Sequence, residues 1–205
     1  MELVCLGLNH RTAPVEVRER FAVGTPKLGD AASELTALAD VAEGVVISTC
    51  NRTEFYLAAS SGKIALERLE AGLASRENLA PDDLTHFYRL EKHDAAKHLC
   101  QVVSGLDSMV LGETEIFGQV KQSYDAALKA GTTGGVLNRV FQRAFGIGKK
   151  VRTQTSIQEG STSIGNVAVD LAEKIFGHLK DSEVMILGAG EIGRASCRER
   201  VYHPV

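Results

Sequence analysis

The order of apolar and polar positions predicts a small sheet first and a long helical stretch afterwards. Residues 3–8 (Leu-Val-Cys-Leu-Gly-Leu) and the β-branched run Val45-Val46-Ile47 after Gly44 are short, apolar and bounded by turn formers, the pattern of buried strands. Residues 54–58 predict a further strand. A polar turn, Ser48-Thr49-Cys50-Asn51-Arg52-Thr53-Glu54, lies between those two strands, which would expose it at the rim of the sheet. Residues 15–21 have a helix-like mixture of apolar and charged positions, and Pro14 holds Ala13 extended just before them. Asp30 is expected to cap a second helix with Ala31, Leu35, Leu38 and Val41 or Ala42 on one face. Ile64, Leu66 or Glu67, Leu69 and Leu73 give residues 63–73 the period of an amphipathic helix. Residues 80–84 predict a capped short turn and residues 86–90 an extended segment.

From Asp94 onward the helical period dominates. Asp94 is expected to cap a helix over residues 95–103 that carries His98 and Cys100, broken by Ser104-Gly105-Leu106-Asp107-Ser108. After the loop at 111–115, a helix over 116–130 ends at Gly131 in the manner of a glycine cap. Gly134-Gly135 precedes a helix over 136–153, with Leu137, Val140, Phe141, Ala144, Ile147 and Val151 as its buried face. Arg139, Arg143 and Lys150, with Lys149 and Arg152 nearby, make its other side basic. Such a side is either a solvated surface or a contact for a phosphate backbone. Ser161-Thr162 would cap a helix over Ile164–Phe176. Residues 183–187 then read as a buried strand running into Gly188-Ala189-Gly190-Glu191-Ile192-Gly193, a dinucleotide fingerprint whose glycines allow close approach of a pyrophosphate.

Composition narrows the class. With 205 residues, 44% hydrophobic and 24% charged, the chain can bury a substantial core. Four cysteines (Cys5, Cys50, Cys100, Cys197) show neither a metal spacing nor a disulfide framework, which points to a reducing, cytoplasmic setting. The first apolar run is too short for a signal peptide or a membrane span. A net charge of −3 argues against a broad nucleic-acid-coating surface. Cys50 stands among hydroxyl and amide side chains with a guanidinium two residues on, a setting that favours the thiolate and hence nucleophilic chemistry. Cys5 and Cys100 sit in apolar settings and read as structural.

Five ordered motifs then resemble one family. They are Gly7-Leu8-Asn9-His10-Arg11-Thr12-Ala13-Pro14; the Cys50 turn; Ser104-Gly105-Leu106-Asp107-Ser108-Met109-Val110-Leu111-Gly112-Glu113; Gly118-Gln119-Val120-Lys121; and the glycine turn at 188–193. Together they look like glutamyl-tRNA reductase. The resemblance implies reduction of glutamyl-tRNA by NADPH to glutamate-1-semialdehyde through a cysteine thioester, the opening step of five-carbon tetrapyrrole (haem) synthesis, without a metal. It implies Cys50 as nucleophile and His98 as its histidine, since His10 and His93 are equally available to unaided reading. Thr49, Asn51, Arg52, Ser108, Glu113, Thr114, Glu115 and Gln119 fall where the family binds substrate, with Arg52 suited to a bidentate grip on the glutamate carboxylate. Helix capping by Ser108 and helix-dipole placement of Glu113 and Glu115 are the structural alternatives. Where the family commonly has Gly-Glu-Pro-Gln, this chain has Gly112-Glu113-Thr114-Glu115. Gly188, Ala189, Gly190, Glu191, Ile192 and Gly193 would face NADPH.

The expected architecture is α/β: an α+β-like catalytic domain over residues 1–160 with a small sheet and several packed helices, then a helix, strand and glycine turn over 161–194 that open a Rossmann-type domain. Residues 195–205 are unlike the family and read as a tail of vector or frame-shifted origin, so the chain is expected to be the front of a longer protein, incapable by itself of the full reduction and monomeric where the whole enzyme is a homodimer. An aminomutase that receives glutamate-1-semialdehyde is an implied partner; no membrane partner is. Another thiol-dependent NAD(P) acyl reductase and a non-enzymatic tRNA-binding module are the competing functions.

Overall fold

Residues 3–8 do form a strand, and it lies inside the sheet. In the computed structural model, which describes residues 1–77, 79, 81–157 and 164–179, β1 (Glu2–Asn9) pairs antiparallel with β3 (Arg52–Ala59) on one side and with β4 (Tyr88–Glu91) on the other. β2 (Val41–Ser48) pairs antiparallel with the outer edge of β3, giving the order β2-β3-β1-β4. All eight residues of β3 are buried, as expected of a strand covered on both faces.

The period of two sorts side chains between two cores. Val4, Leu6, Leu8, Val46, Phe55 and Leu57 pack with Ala65, Leu66, Leu69 and Leu73 of α3 (Gly62–Glu77) and with Leu28 and Leu35 of α2 (Leu28–Thr36). Leu3, Cys5, Val45, Ile47 and Tyr56 pack on the opposite face against α4 (Lys92–Val103), α5 (Glu115–Lys129) and α6 (Gly135–Gln154). The first short helix is Val15–Arg20, and the described chain ends with a helix at Ile164–Phe176, the bounds its period predicts; these are α1 and α7.

Several boundaries depart from the sequence reading. Asp30 stands in the first turn of α2, and the helix closes at Ala37. Asp40, at φ 70°, then turns the chain so that Val41 joins the sheet instead of extending the helical face. Likewise α4 starts at Lys92 after Glu91, leaving Asp94 in its first turn. Residues 81–86 form a 3-10 helix, so the edge strand begins at Tyr88. On α6 the buried face is Leu137, Phe141, Ala144, Phe145 and Gly148, while Ile147 is 41% exposed. Close packing sets that rotation: a Cβ on Gly148 would come within 2.7 Å of Val103 Cγ1.

Glu43 was silent in the sequence pattern. It is buried, and its carboxylate accepts from the backbone N–H groups of Gly134 (2.9 Å), Val136 (2.9 Å) and Leu137 (2.7 Å), closing the N-terminus of α6 from the neighbouring strand. The cap proposed at Ser161-Thr162, the strand at 183–187, the glycine turn and the tail lie outside the described residues.

Candidate active site

The hairpin between β2 and β3 lifts Cys50 to the rim of the sheet, where it is exposed. Thr49 N–H donates to Arg52 O at 2.9 Å to close the turn, and Asn51 N–H donates to Thr49 Oγ1 at 3.2 Å. The tip also leans on the turn that follows β1: His10 N–H donates to Asn51 O at 2.9 Å. That second turn is held by its own asparagine, whose Oδ1 accepts from Arg11 N–H (2.9 Å) and Thr12 N–H (3.3 Å). Two adjacent turns with internal hydrogen bonds therefore present the thiol on fixed backbone. Cys5 and Cys100 differ: burial pushes both thiols above their ordinary range.

Behind the hairpin, Arg52, Glu54 and Tyr56 alternate onto the face of β3 that meets α4 and α6, and all three are buried. Glu54 is the hub. Its Oε1 accepts from Arg52 Nη1 (2.6 Å), Tyr88 Oη (2.7 Å) and His98 Nε2 (2.9 Å), while Oε2 accepts from Tyr56 Oη (2.9 Å). Burial alone would raise the Glu54 carboxyl, but the Arg52 charge and the hydrogen bonds of His98 and Tyr88 outweigh it and hold the group well below the usual carboxylate range. Burial, and then the Glu54 charge, push the Tyr88 phenol far up, so it stays a donor. Gly7 makes room for this ring: a Cβ there would meet Tyr88 at 2.8 Å.

Asp107 ties the hub to the loop before α5. Its Oδ2 accepts from Arg52 Nη1 at 3.1 Å, its backbone carbonyl from Arg52 Nη2, and its Oδ1 pairs with Arg11 at 2.9 Å. Asn9 Nδ2 reaches Asp107 Oδ2 at 3.4 Å. The loop itself closes through Gly112 N–H on Gly105 O at 2.9 Å. Its far end is pinned by Arg152 of α6, whose Nη2 donates to the carbonyls of Glu113 (3.2 Å) and Thr114 (3.3 Å) and whose guanidinium lies 4.9 Å from the centre of the Phe117 ring. Gly112, at φ 78°, fits where a Cβ would strike Ile157 O at 2.0 Å.

The structure thus brings Thr49, Cys50, Asn51, Arg52, Ser108 and His98 into one connected neighbourhood through Asn9, Glu54 and Asp107. Glu113 and Thr114 join it by way of the loop. Glu115 and Gln119 stand on the first two turns of α5, with Glu115 exposed. The picture of Arg52 changes: the guanidinium faces inward and is held by Glu54 and Asp107, because its position on β3 points to the helix-covered face. Arg152 leaves the basic side of α6 for Phe117 and the loop, while Arg139, Arg143, Lys149 and Lys150 remain exposed. Sequence reasoning passed over Tyr88, Asp107 and Glu54 as site residues. Glu54 carried a signal, a carboxylate in a strand whose alternate positions 52, 54 and 56 are all polar-tipped. Three buried polar atoms in the surrounding turns, His10 Nδ1, Ser104 Oγ and Ser108 Oγ, have no hydrogen-bond partner among the described residues. Burial, then the Arg52 and Arg11 charges, hold His10 below its ordinary range, so it is an uncharged polar group at the rim. Among the described residues no cluster of three or more His, Cys, Asp or Glu side chains could hold a metal ion.

An exposed cysteine thus stands on a braced hairpin, backed by a buried ion-paired hub that reaches a histidine. Comparison with known proteins gives the class: residues 6–155 match the N-terminal domain of glutamyl-tRNA(Glu) reductase, and the chain belongs to that family. It is 52% identical over 198 residues to a glutamyl-tRNA reductase of Akkermansia muciniphila, a match covering 97% of this chain and 58% of the relative. With that of Magnetococcus marinus it shares 46% over 206 residues, 100% of this chain and 49% of the relative. The solved glutamyl-tRNA reductase from Methanopyrus kandleri superposes with a TM-score of 0.69 at 36% identity, covering 97% of this chain and 46% of that one. The chain spans about half the length of these relatives.

Proposed function

We propose that this chain carries the acyl-transfer half of a cytoplasmic glutamyl-tRNA reductase. The observation that carries the reading is the exposed Cys50 on its braced hairpin, within a chain that matches the family's N-terminal domain along residues 6–155. Aminoacyl-tRNA is an activated ester. The Cys50 thiolate attacks its carbonyl carbon, the C–S bond forms, the bond to the ribose oxygen breaks, and that oxygen takes up a proton; tRNA leaves and glutamate stays as a thioester. His98 serves the proton transfer. Thr49, Asn51, Ser108 and Gln119 offer donors and acceptors to the glutamyl group, Ser108 with a buried hydroxyl that no neighbour occupies. Glu113, Thr114 and Glu115 line the approach from the loop, an acid there suiting the free α-ammonium. A grip of Arg52 on the substrate carboxylate requires its guanidinium to exchange the Asp107 contacts for that carboxylate.

NADPH, for which the glycine turn at residues 188–193 is the expected site, supplies the hydride that converts the thioester to the aldehyde. The unstable aldehyde then passes to glutamate-1-semialdehyde aminomutase, and the whole enzyme is a homodimer.

Incubation of the chain with glutamyl-tRNA carrying labelled glutamate, followed by acid trapping, tests the reading. Protein-bound label in the native chain and none in Cys50→Ser is the expected result. Equal label in both, or none in a native chain joined to its remaining domains, would overturn it. A tRNA-binding module would instead retain tRNA through Arg139, Arg143 and Lys150 whatever stands at position 50.

A further inference from the structure

The Glu54 hub lies beneath the surface, where a carboxylate is costly unless each acceptor is used. Four donors converge on it, and one of them is the imidazole. An ionised carboxylate only accepts, so the ring nitrogen 2.9 Å from Oε1 must carry a proton. Tyr88 cannot supply the alternative. Its hydroxyl proton is spent on the same Oε1 at 2.7 Å, and its oxygen stands 3.4 Å from Nε2. The Tyr88 ring also braces the imidazole edge to face, with centroids 5.2 Å apart and planes at 67°. The position of that ring depends on the missing side chain at Gly7.

The geometry points to Glu54 and Tyr88 as positioning residues that fix His98 as the Nε2–H tautomer and leave Nδ1 as the nitrogen that can exchange a proton during acyl transfer. This rests on the acyl-transfer reading for its use but not for its geometry. His98 then acts through Nδ1: it takes up there the proton that the Cys50 thiol loses as the thiolate forms and gives it to the departing ribose oxygen, with Nε2–H remaining on Glu54 throughout. The charge that develops on the ring faces a carboxylate already paired with Arg52, in the manner of an acid that orients a catalytic imidazole. The groups facing the ring are Glu54 from β3 and Tyr88 from β4, with Arg52 behind Glu54.

Two experiments decide it. Long-range proton–nitrogen correlation spectra of the histidine-labelled 205-residue chain, assigned with His98→Gln, should show a pyrrole-like Nε2 and a pyridine-like Nδ1 for the neutral His98 ring. A pyrrole-like Nδ1, or an averaged pattern, would overturn the assignment. Glu54→Gln, where it folds, should yield the averaged pattern, because its amide can turn oxygen or nitrogen toward the ring; an unchanged pattern would count against Glu54 as the determinant. The second experiment uses a reductase of full family length. His98→Asn offers an amide atom where Nδ1 sits, whereas His98→Gln offers one where Nε2 sits. Neither amide can carry the proton, but the asparagine N–H can still hydrogen-bond the departing oxygen from the Nδ1 position, so thioester formation should fall in both and survive better in the asparagine variant, by roughly tenfold, a fraction of what a positioned proton carrier contributes. A glutamine variant equal to or faster than the asparagine one would refute the role of Nδ1. The spectra need no substrate, so a correct tautomer with no acyl transfer would sink the functional reading and leave this one standing.

Discussion

The two faces of β3 were built for different ends. Phe55 and Leu57 point toward α2 and α3 and pack into the apolar core there, whereas Arg52, Glu54 and Tyr56 point toward α4 and α6 and bring a buried ion pair with them. One face gains stability from area removed from water. The other accepts a desolvation penalty, which geometry must offset, and receives in return a fixed arrangement of charge beneath the hairpin. A strand that alternates these contents every residue cannot slip its register by one without burying Arg52 among leucines. The polar face thereby also specifies the pairing that puts Cys50 at the tip.

The comparison predicts its largest effect where stability should not move at all. Cys50 is exposed on the hairpin, so Cys50→Ser should leave the urea midpoint within experimental error while acid-stable label falls to background. A midpoint shift as large as that of a core variant would show the cysteine to be structural.

Next come changes to the strand itself. Glu54→Gln removes the carboxylate opposite a buried guanidinium and should cost about 3–5 kcal/mol in urea unfolding, as loss of one partner of a buried pair does. Leu57→Ala, one pleat away on the apolar face, should cost a comparable amount, about 2–5 kcal/mol, by leaving a cavity. Acid separates the two. The Glu54 carboxyl is depressed in the folded chain, so its contribution is present above the unfolded carboxylate pKa of about 4.3 and is lost as pH falls from there through the lower folded value. Unfolding free energies measured from pH 6 downward should therefore fall steeply in Leu57→Ala as in the native chain, and less steeply in Glu54→Gln. Parallel slopes in all three would remove the ion pair from the account.

The apolar face was the legible one. Alternation and β-branching at residues 3–8, 45–47 and 54–58 located three strands, and the helical period gave α7 its bounds and α5 and α6 theirs to within a residue or two. The exposed position of Cys50 was legible because a cysteine among polar neighbours after a strand stands out. The hub was not. Tyr88 and Asp107 come from an edge strand and a loop far along the chain, and nothing local marks a tyrosine that folds over Gly7. Arg52 read as part of the turn, suited to grip a carboxylate; two more residues of strand before Glu54 place it in β3 and turn it inward. Arg152 read as part of a basic side because its helical position puts it there, until α5 brings the Phe117 ring beneath it.

Gly7→Ala sits between the two faces in its effect. A methyl group 2.8 Å from the Tyr88 ring forces that ring to move, at about 1–3 kcal/mol for overpacking. Most of its consequence should fall on activity, because the displaced ring is the one that donates to Glu54 and braces His98. Thioester formation that fell no further than stability would show that the ring merely fills space. Combined with Tyr88→Phe, the glycine variant should be less than additive, since both disturb one contact set.

Among the variants that disturb buried contacts, Arg152→Met should give the smallest change in stability and the most local one. The substitution keeps a flexible apolar stem over Phe117 and loses two hydrogen bonds to the carbonyls of Glu113 and Thr114 along with the cation–π contact. The expected cost is about 1–2 kcal/mol, partly relieved because burial already disfavours the charge of Arg152. Its effect should appear as faster hydrogen exchange in residues 112–115, with exchange in β1 and β3 unaltered, because the Asp107 end of the loop stays fastened to Arg52 and Arg11. If the loop serves substrate binding, the variant raises KM for glutamyl-tRNA more than it lowers kcat. Exchange that quickened equally at Asp107 would mean that the loop is one unit hung from α6, and that the polar face of the sheet does not hold it.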